Sequence, residues 1–287
     1  MTPKLIALDL DETTLDQQSR LSPRNRAALE AAVAAGIEIV IASGRSLDTL
    51  PAEMTHFPGI HYAICSNGAM VCDLSTHTVL VQHFLPSETA GQVLSLSQGA
   101  FLTYEAFVDG CAYAQEDYVN RPDAYLCGKT TAAYVKATRR PVPDIWAFLL
   151  AHRDHLDSMD LIVGNLEVKA EMMQLLRSLS GIYITSSVPH LIEISNEACG
   201  KHRGLAFLAE YLGIPQSAVC AFGNADNDAD MLAWAGLGIA VANGSPACRA
   251  AADIITADYL DDGVARALET HLHLHPILKG ESHGTAH

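Results

Sequence analysis

The sequence predicts an α/β fold, a Rossmann-like doubly wound parallel sheet, with an inserted α+β domain. Short apolar runs alternate with helical segments at both ends of the chain, at residues 4–10, 37–42, 62–65, 219–222 and 237–242. Runs that are apolar on both faces are typical of parallel strands covered by helices on each side. The middle of the chain alternates less regularly and holds most of the tyrosines, which indicates a second domain.

The first helix is marked at both of its ends. Between the runs at 4–10 and 37–42, Ser22 offers an N-cap, Pro23 suits the first helical position, and Gly36 ends the helix. Strand, helix and strand in this order form a βαβ unit.

The C-terminal part repeats the same pattern. It predicts helices at 201–212, from about 227 to 235, and after Ser245 and Pro246, with strands between them at 218–222 and 237–242. Both flanks therefore form one α/β core domain, residues 1–84 and 188–287, and residues 85–187 form an inserted α+β domain.

Charge and composition exclude several classes of partner. The 287 residues contain 18 Lys and Arg against 33 Asp and Glu, a net charge of -15, which repels nucleic acids and anionic membranes. The apolar runs are shorter than the roughly 18 residues of a membrane helix, and acidic residues interrupt the first run where a signal peptide stays apolar. We expect a cytoplasmic protein whose seven cysteines are reduced and mostly buried.

Three predicted strands end in polar residues that suit phosphate chemistry. Asp9 and Asp11 follow the first strand, Ser43-Gly44-Arg45 follow the second, and the acidic stretch 223–228 follows the strand at 218–222. In an open α/β sheet the carboxyl ends of the strands form the ligand crevice. Each segment alone could be an ordinary turn, but together they predict a site with carboxylates, anion-binding donors and oxygen ligands for a hard cation.

The order of these motifs resembles the haloacid dehalogenase superfamily of phosphatases. The matching segments are DLDET at 9–13, ASGR at 42–45, a helix-starting Lys201 and GNADND at 223–228. The large insert and the segment SNGA at 66–69 are similar to the Cof-type members, subclass IIB with a C2-type cap. The resemblance covers about residues 1–84 and 188–270.

The resemblance implies a role for each matching residue. Asp9 would be the nucleophile that forms an aspartyl-phosphate, Asp11 the general acid and base, and Thr13 a residue that orients Asp11. Phosphoryl oxygens would be held by residues from four segments: the Leu10 amide, Ser43, the Gly44 amide, Lys201 and Asn227. Arg45 and Asn67 are candidate substrate contacts.

The implied cofactor is Mg²⁺, with candidate ligands Asp9, Asp11, Asn224 and Asp228. Position 224 departs from the family, which usually has Asp there, and a neutral amide predicts weaker Mg²⁺ binding. The predicted activity is hydrolysis of small phosphomonoesters, sugar phosphates or cofactor phosphates, in a phosphatase whose partner is a small phosphorylated metabolite. A phosphomutase and a non-catalytic phosphometabolite-binding protein are the alternatives, and the sequence leaves the oligomeric state open.

Overall fold

The computed structural model describes residues 2–125 and 127–275, and it confirms the α/β fold with an inserted α+β domain. Its strands are β1 Leu5–Leu8, β2 Glu38–Ala42, β3 Ile60–Cys65, β4 Met70–Asp73, β5 Thr78–Gln82, β6 Leu102–Val108, β7 Cys111–Gln115, β8 Arg140–Val142, β9 Leu156–Val163, β10 Ile182–Thr185, β11 Leu191–Asn196, β12 Val219–Gly223, β13 Leu237–Ala240 and β14 Ile254–Ile255. Its helices are α1 Pro23–Ala34, α2 Ala52–Thr55, α3 Ser87–Ser97, α4 Glu116–Asn120, α5 Lys129–Thr138, α6 Ile145–His152, α7 Leu166–Leu176, α8 Lys201–Tyr211, α9 Ala229–Trp234, α10 Pro246–Ala251 and α11 Gly263–His271.

The core sheet has eight strands in the order β14-β13-β12-β1-β2-β3-β4-β5. The strands from β14 to β3 are parallel, and β4 and β5 extend the sheet as antiparallel strands. Alternate residues of β1 face opposite layers: Ile6 and Leu8 pack towards α1 and α11, whereas Leu5 and Ala7 pack towards α8 and α9. Apolar residues on both faces of one strand are what the doubly wound fold requires.

The first helix begins and ends where the sequence predicts. The Ser22 hydroxyl accepts a hydrogen bond from the amide of Asn25 at 3.0 Å, and Pro23 is the first helical residue. Gly36 follows the helix with a φ of 77°, which a residue without a side chain adopts freely.

The cap sheet has six strands in the order β10-β11-β9-β6-β7-β8. Its pairs are antiparallel except β7 with β8. One face packs on α3, α6 and α7 through a core that includes Leu94, Tyr104, Leu149 and Leu161. The opposite face is partly covered by α4 and α5 and otherwise faces the core domain.

The return from the cap to the core lies later than residue 188. β11, Leu191–Asn196, pairs with β9 in the cap sheet, so the sequence boundary at 188 is wrong and the chain leaves the cap only after Asn196. The Asn196 side chain donates a hydrogen bond to the Phe84 carbonyl at 2.8 Å. This bond joins the two segments that connect the core domain to the cap. Residues 276–287, assigned to the core domain from sequence, lie outside the described residues.

Within the described ranges, no helix is both long and apolar enough to cross a membrane.

Candidate active site

The predicted strand ends meet at one edge of the core sheet, below the cap. They line a cavity of about 220 Å³ whose other wall is formed by the cap sheet and α5. Seven of the residues chosen from sequence line this cavity: Asp9, Asp11, Ser43, Gly44, Arg45, Asn224 and Asn227. Lys201, Asp228 and Asn67 lie behind this wall, where they hold the lining residues in place.

Lys201 joins two carboxylates from different strands. Its ammonium donates to Asp9 Oδ1 at 2.8 Å and to Asp228 Oδ1 at 2.6 Å. All three side chains are buried, with Lys201 1% and Asp228 0% exposed. A buried charge cluster of this kind is stable only while every member keeps its partner.

The Asp228 carboxylate also fixes the loop after β12. Its Oδ2 accepts hydrogen bonds from the amides of Asn224 at 2.9 Å and Ala225 at 3.0 Å. A Cβ on Gly223 would come within 2.4 Å of the Asp228 Cβ, so this close approach requires glycine. Asp228 therefore anchors Lys201 and the loop, and both of its oxygens already have protein partners.

Burial and repulsion from Asp228 raise the pKa of Asp9 to about 7, although Lys201 opposes this shift. Burial works against the charged form of Lys201, but the carboxylates of Asp228 and Asp9 hold its pKa above the usual value. The cluster has one cation for two carboxylates, so an additional positive charge near Asp9 would stabilise it.

Arg45 orients Asp11. Its Nε donates to Asp11 Oδ2 at 2.9 Å, and Nη2 donates to the other carboxylate oxygen. Arg45 is held in turn by the Thr49 carbonyl and by the Tyr134 ring of α5, whose centroid lies 4.5 Å from Cζ. The predicted orienting residue, Thr13, does not do this: among the described residues, no hydrogen-bond partner reaches its buried hydroxyl.

The loop after β1 is closed by its own backbone. The Leu10 carbonyl accepts hydrogen bonds from the amides of Thr13, Thr14 and Leu15. The Thr14 hydroxyl donates to the Asp9 carbonyl at 2.6 Å. These bonds fix the backbone that follows the Asp9 side chain.

Asn67 connects the core to the cap. Its Nδ2 donates to Glu193 Oε1 of β11 at 3.1 Å, and its Oδ1 accepts from Asn227 Nδ2 at 3.0 Å. A Cβ on Gly44 would lie 3.2 Å from Glu193 Oε1 and 3.3 Å from Asn67 Oδ1, so a glycine leaves room for this contact. The donor group of Asn227, a predicted phosphate contact, is thus directed at Asn67 here.

Sequence reasoning missed three residues that support the site. Glu193 reaches Asn67 from the cap, and Asn25 of α1 bridges the Thr14 carbonyl and the Ala265 amide. Asn243 donates to the Glu12 carbonyl at 2.9 Å, where Glu12 has a φ of 55°. The sequence signal for Asn25 was a polar residue on the otherwise apolar buried face of α1.

Oxygen atoms that could bind a metal ion lie at the position where the resemblance implies one. Asp9 uses one carboxylate oxygen for Lys201, and no donor within residues 2–125 and 127–275 reaches the other. Asn224 lines the same cavity. In the described part of the chain, no group of three or more His, Cys, Asp and Glu side chains could hold a metal, so a site here would also use amide or backbone oxygens. Such a set fits Mg²⁺, which prefers oxygen ligands and retains several waters.

The fold and this site together indicate a hydrolase of a known family. Residues 6–268 match the family model of the haloacid dehalogenase-like hydrolases, and the chain belongs to this family. The family predicted from the motifs is thereby confirmed, and relatives named as phosphatases confirm the predicted enzyme class, a phosphatase.

Named relatives match over nearly their whole length. The pyridoxal phosphate phosphatase YbhA of Escherichia coli strain K12 is 27% identical over 95% of this chain and 100% of its own. The 5-amino-6-(5-phospho-D-ribitylamino)uracil phosphatase YcsE of Bacillus subtilis strain 168 is 26% identical over 92% and 94%. A crystal structure of a haloacid dehalogenase-like hydrolase from Bacteroides thetaiotaomicron is similar with a TM-score of 0.74, at 26% identity over 93% of this chain and 98% of that one.

Proposed function

We propose that this protein is a Mg²⁺-dependent phosphatase of small phosphomonoesters that acts through a phosphorylated Asp9. The Asp9–Lys201–Asp228 cluster at the carboxyl edge of the sheet carries this proposal. It holds one carboxylate in a fixed orientation at the cavity wall, with a cation beside it. Phosphoryl transfer depends mainly on positioning and charge neutralisation, and this cluster supplies both.

The reaction takes place in two displacements. In the first, an oxygen of Asp9 forms a bond to phosphorus while the bond to the leaving-group oxygen breaks, and Asp11 gives that oxygen a proton. In the second, water attacks the same phosphorus, Asp11 takes the proton of the water, and the bond to Asp9 breaks. Phosphate leaves and Asp9 is restored.

Arg45 positions Asp11 in this mechanism. Its guanidinium holds both carboxylate oxygens of Asp11 beside the cavity. To act as the acid, Asp11 turns from Arg45 towards the leaving group.

Ser43 and the Gly44 amide, at the end of β2, line the same cavity and bind phosphoryl oxygens.

Mg²⁺, when bound, supplies positive charge to the phosphoryl oxygens. Asp9, the Asp11 carbonyl and Asn224 would hold it. Asp228, the fourth candidate ligand, instead keeps Lys201 and the loop amides in place, because both of its oxygens are bonded to them.

The substrate is a small metabolite phosphate. The cap covers the site and the cavity is about 220 Å³, which excludes a folded phosphoprotein. The names of the relatives support cofactor phosphates and precursors with a polyol chain as the first substrates to assay.

We expect the purified protein to release inorganic phosphate from such esters with Mg²⁺ and without any acceptor. A panel of sugar phosphates, pyridoxal phosphate and phenyl phosphate, assayed for free phosphate, measures this. Transfer to a sugar with no release would identify a phosphomutase instead. Ligand-dependent thermal stabilisation with no release at millimolar Mg²⁺ would identify a binding protein.

Asn224→Asp is expected to lower the Mg²⁺ concentration for half-maximal activity about tenfold. A carboxylate attracts the cation more strongly than an amide does, and solvent screening limits the gain to about 1.4 kcal/mol, which corresponds to this tenfold change. Thermal stabilisation by Mg²⁺ alone should shift to lower concentration in parallel. Unchanged Mg²⁺ dependence in both measurements would show that residue 224 is not a metal ligand.

A further inference from the structure

A row of carboxylates crosses the cap face opposite Asp9. Glu105 on β6 lies directly opposite Asp160 on β9, and Asp160 lies directly opposite Glu193 on β11. Residues opposite each other on antiparallel strands have their side chains on the same face, about 5 Å apart at Cβ. All three line the cavity, and each is at least nine-tenths buried.

Asp160, the middle residue of the row, has no hydrogen-bond or ion-pair partner among the described residues. The Arg139 guanidinium lies 2.7 Å from Glu105, and Asn67 donates to Glu193. Among the described residues, no hydrogen-bond donor or ion-pair partner reaches Asp160, although it is only 4% exposed. Like charges opposite each other destabilise a sheet, and a buried carboxylate without a partner costs more still.

Neighbouring cations relieve this row only in part: Arg139 acts against the rise in the pKa of Asp160, and Lys201 acts against the rise in the pKa of Glu193. Burial, then Glu193 and Glu105, raise the pKa of Asp160 well above its usual range. His190, which lines the same cavity, supplies no charge near neutral pH because burial lowers its pKa to about 4. Within the described residues, the ion pair of Arg139 with Glu105 is the one ion pair made to these three acidic side chains, and a ligand that donates hydrogen bonds would satisfy the others.

We propose that Asp160 and Glu193 select substrates whose leaving group carries hydrogen-bond donors, hydroxyl or ammonium groups, and reject leaving groups with a second anion. This rests on the proposed phosphatase function, because the phosphoryl group must lie at Asp9 for the rest of the ester to reach the cap face. A carboxylate or second phosphate in that position would add a negative charge to a row in which, among the described residues, three acidic side chains share one ion-pair partner, Arg139.

The test compares leaving groups that differ in one group. Sorbitol 6-phosphate and 6-phosphogluconate share their chain and differ by a hydroxyl against a carboxylate. We expect kcat/KM to be at least about tenfold higher for sorbitol 6-phosphate, the effect of a buried charged group left without its partner. A comparison of glucosamine 6-phosphate with glucose 6-phosphate then distinguishes an ammonium donor from a hydroxyl donor. If the wild type prefers glucosamine 6-phosphate and Asp160→Asn loses this preference, the preferred donor is an ammonium group.

Asp160→Asn should raise KM for sorbitol 6-phosphate several-fold and reduce the preference over 6-phosphogluconate. Its kcat/KM for phenyl phosphate, whose leaving group has no donor, should stay within about threefold. Asp154→Asn, an exposed carboxylate of the same domain, is the matched control and should change neither.

Two outcomes separate this inference from the phosphatase function. If the wild type hydrolyses all these esters without discrimination, or Asp160→Asn discriminates as the wild type does, the selection by Asp160 is overturned and the phosphatase function stands. If no ester is hydrolysed, the phosphatase function fails. Thermal stabilisation of Asp9→Asn by sorbitol 6-phosphate but not by 6-phosphogluconate would still support the selection, and equal stabilisation would overturn it.

Discussion

Asp9→Asn should lower phosphate release by about ten-thousandfold or more, with little change in fold. An amide is a far weaker nucleophile than a carboxylate, and removal of a nucleophile costs several powers of ten in comparable enzymes. The substitution preserves size and can still accept the hydrogen bond from Lys201. The measurement is steady-state phosphate release from phenyl phosphate at saturating Mg²⁺, with circular dichroism to verify folding.

Asp261→Asn provides the control for Asp9→Asn, because Asp261 is an exposed carboxylate of the core domain. It should retain wild-type turnover. Undiminished hydrolysis by folded Asp9→Asn would remove Asp9 from the chemistry and with it the two-step mechanism.

Lys201→Met is expected to abolish activity and to lower the free energy of unfolding by about 3 kcal/mol. Methionine fills a similar volume but leaves Asp9 and Asp228 buried side by side without a cation, and breaking a buried ion pair costs about this much. Chemical denaturation at neutral pH measures the change. Lys136→Met, at an exposed position on α5, should have almost no effect.

A second substitution tests the cause of this loss. Asp228→Asn removes one of the stranded charges but keeps an oxygen for the amides of Asn224 and Ala225. Lys201→Met/Asp228→Asn should therefore be more stable than Lys201→Met alone, although it stays inactive. Additive losses from the two substitutions would show that Lys201 stabilises the fold through packing and not through its charge.

The core domain was predictable from sequence because its signals are local. Apolar runs mark the strands, and Ser22, Pro23 and Gly36 mark the ends of α1. The polar residues at the strand ends follow from the same reasoning, since parallel strands deliver their carboxyl ends to one edge. This is why Asp9, Ser43 and Asn224, distant in sequence, line one cavity as predicted.

The cap and its contacts were not predictable in the same way. The strand Leu191–Asn196 became part of the cap because β9 is its pairing partner, and pairing across the cap is not visible in a local pattern. The alignment of Glu105, Asp160 and Glu193 depends on the register of three strands. The pairing of Arg45 with Asp11, in place of Thr13, depends on where Tyr134 packs.

The phosphorylated state of Asp9 is the feature to measure directly. Asp11→Asn should form the aspartyl-phosphate from an activated ester such as p-nitrophenyl phosphate, whose leaving group needs no proton, but should hydrolyse it slowly for lack of a base. With radiolabelled ester and an acid quench, we predict label on the protein, located at residue 9 by peptide mapping and absent from Asp9→Asn/Asp11→Asn. Label at another residue, or label retained equally without Asp9, would contradict Asp9 as the nucleophile.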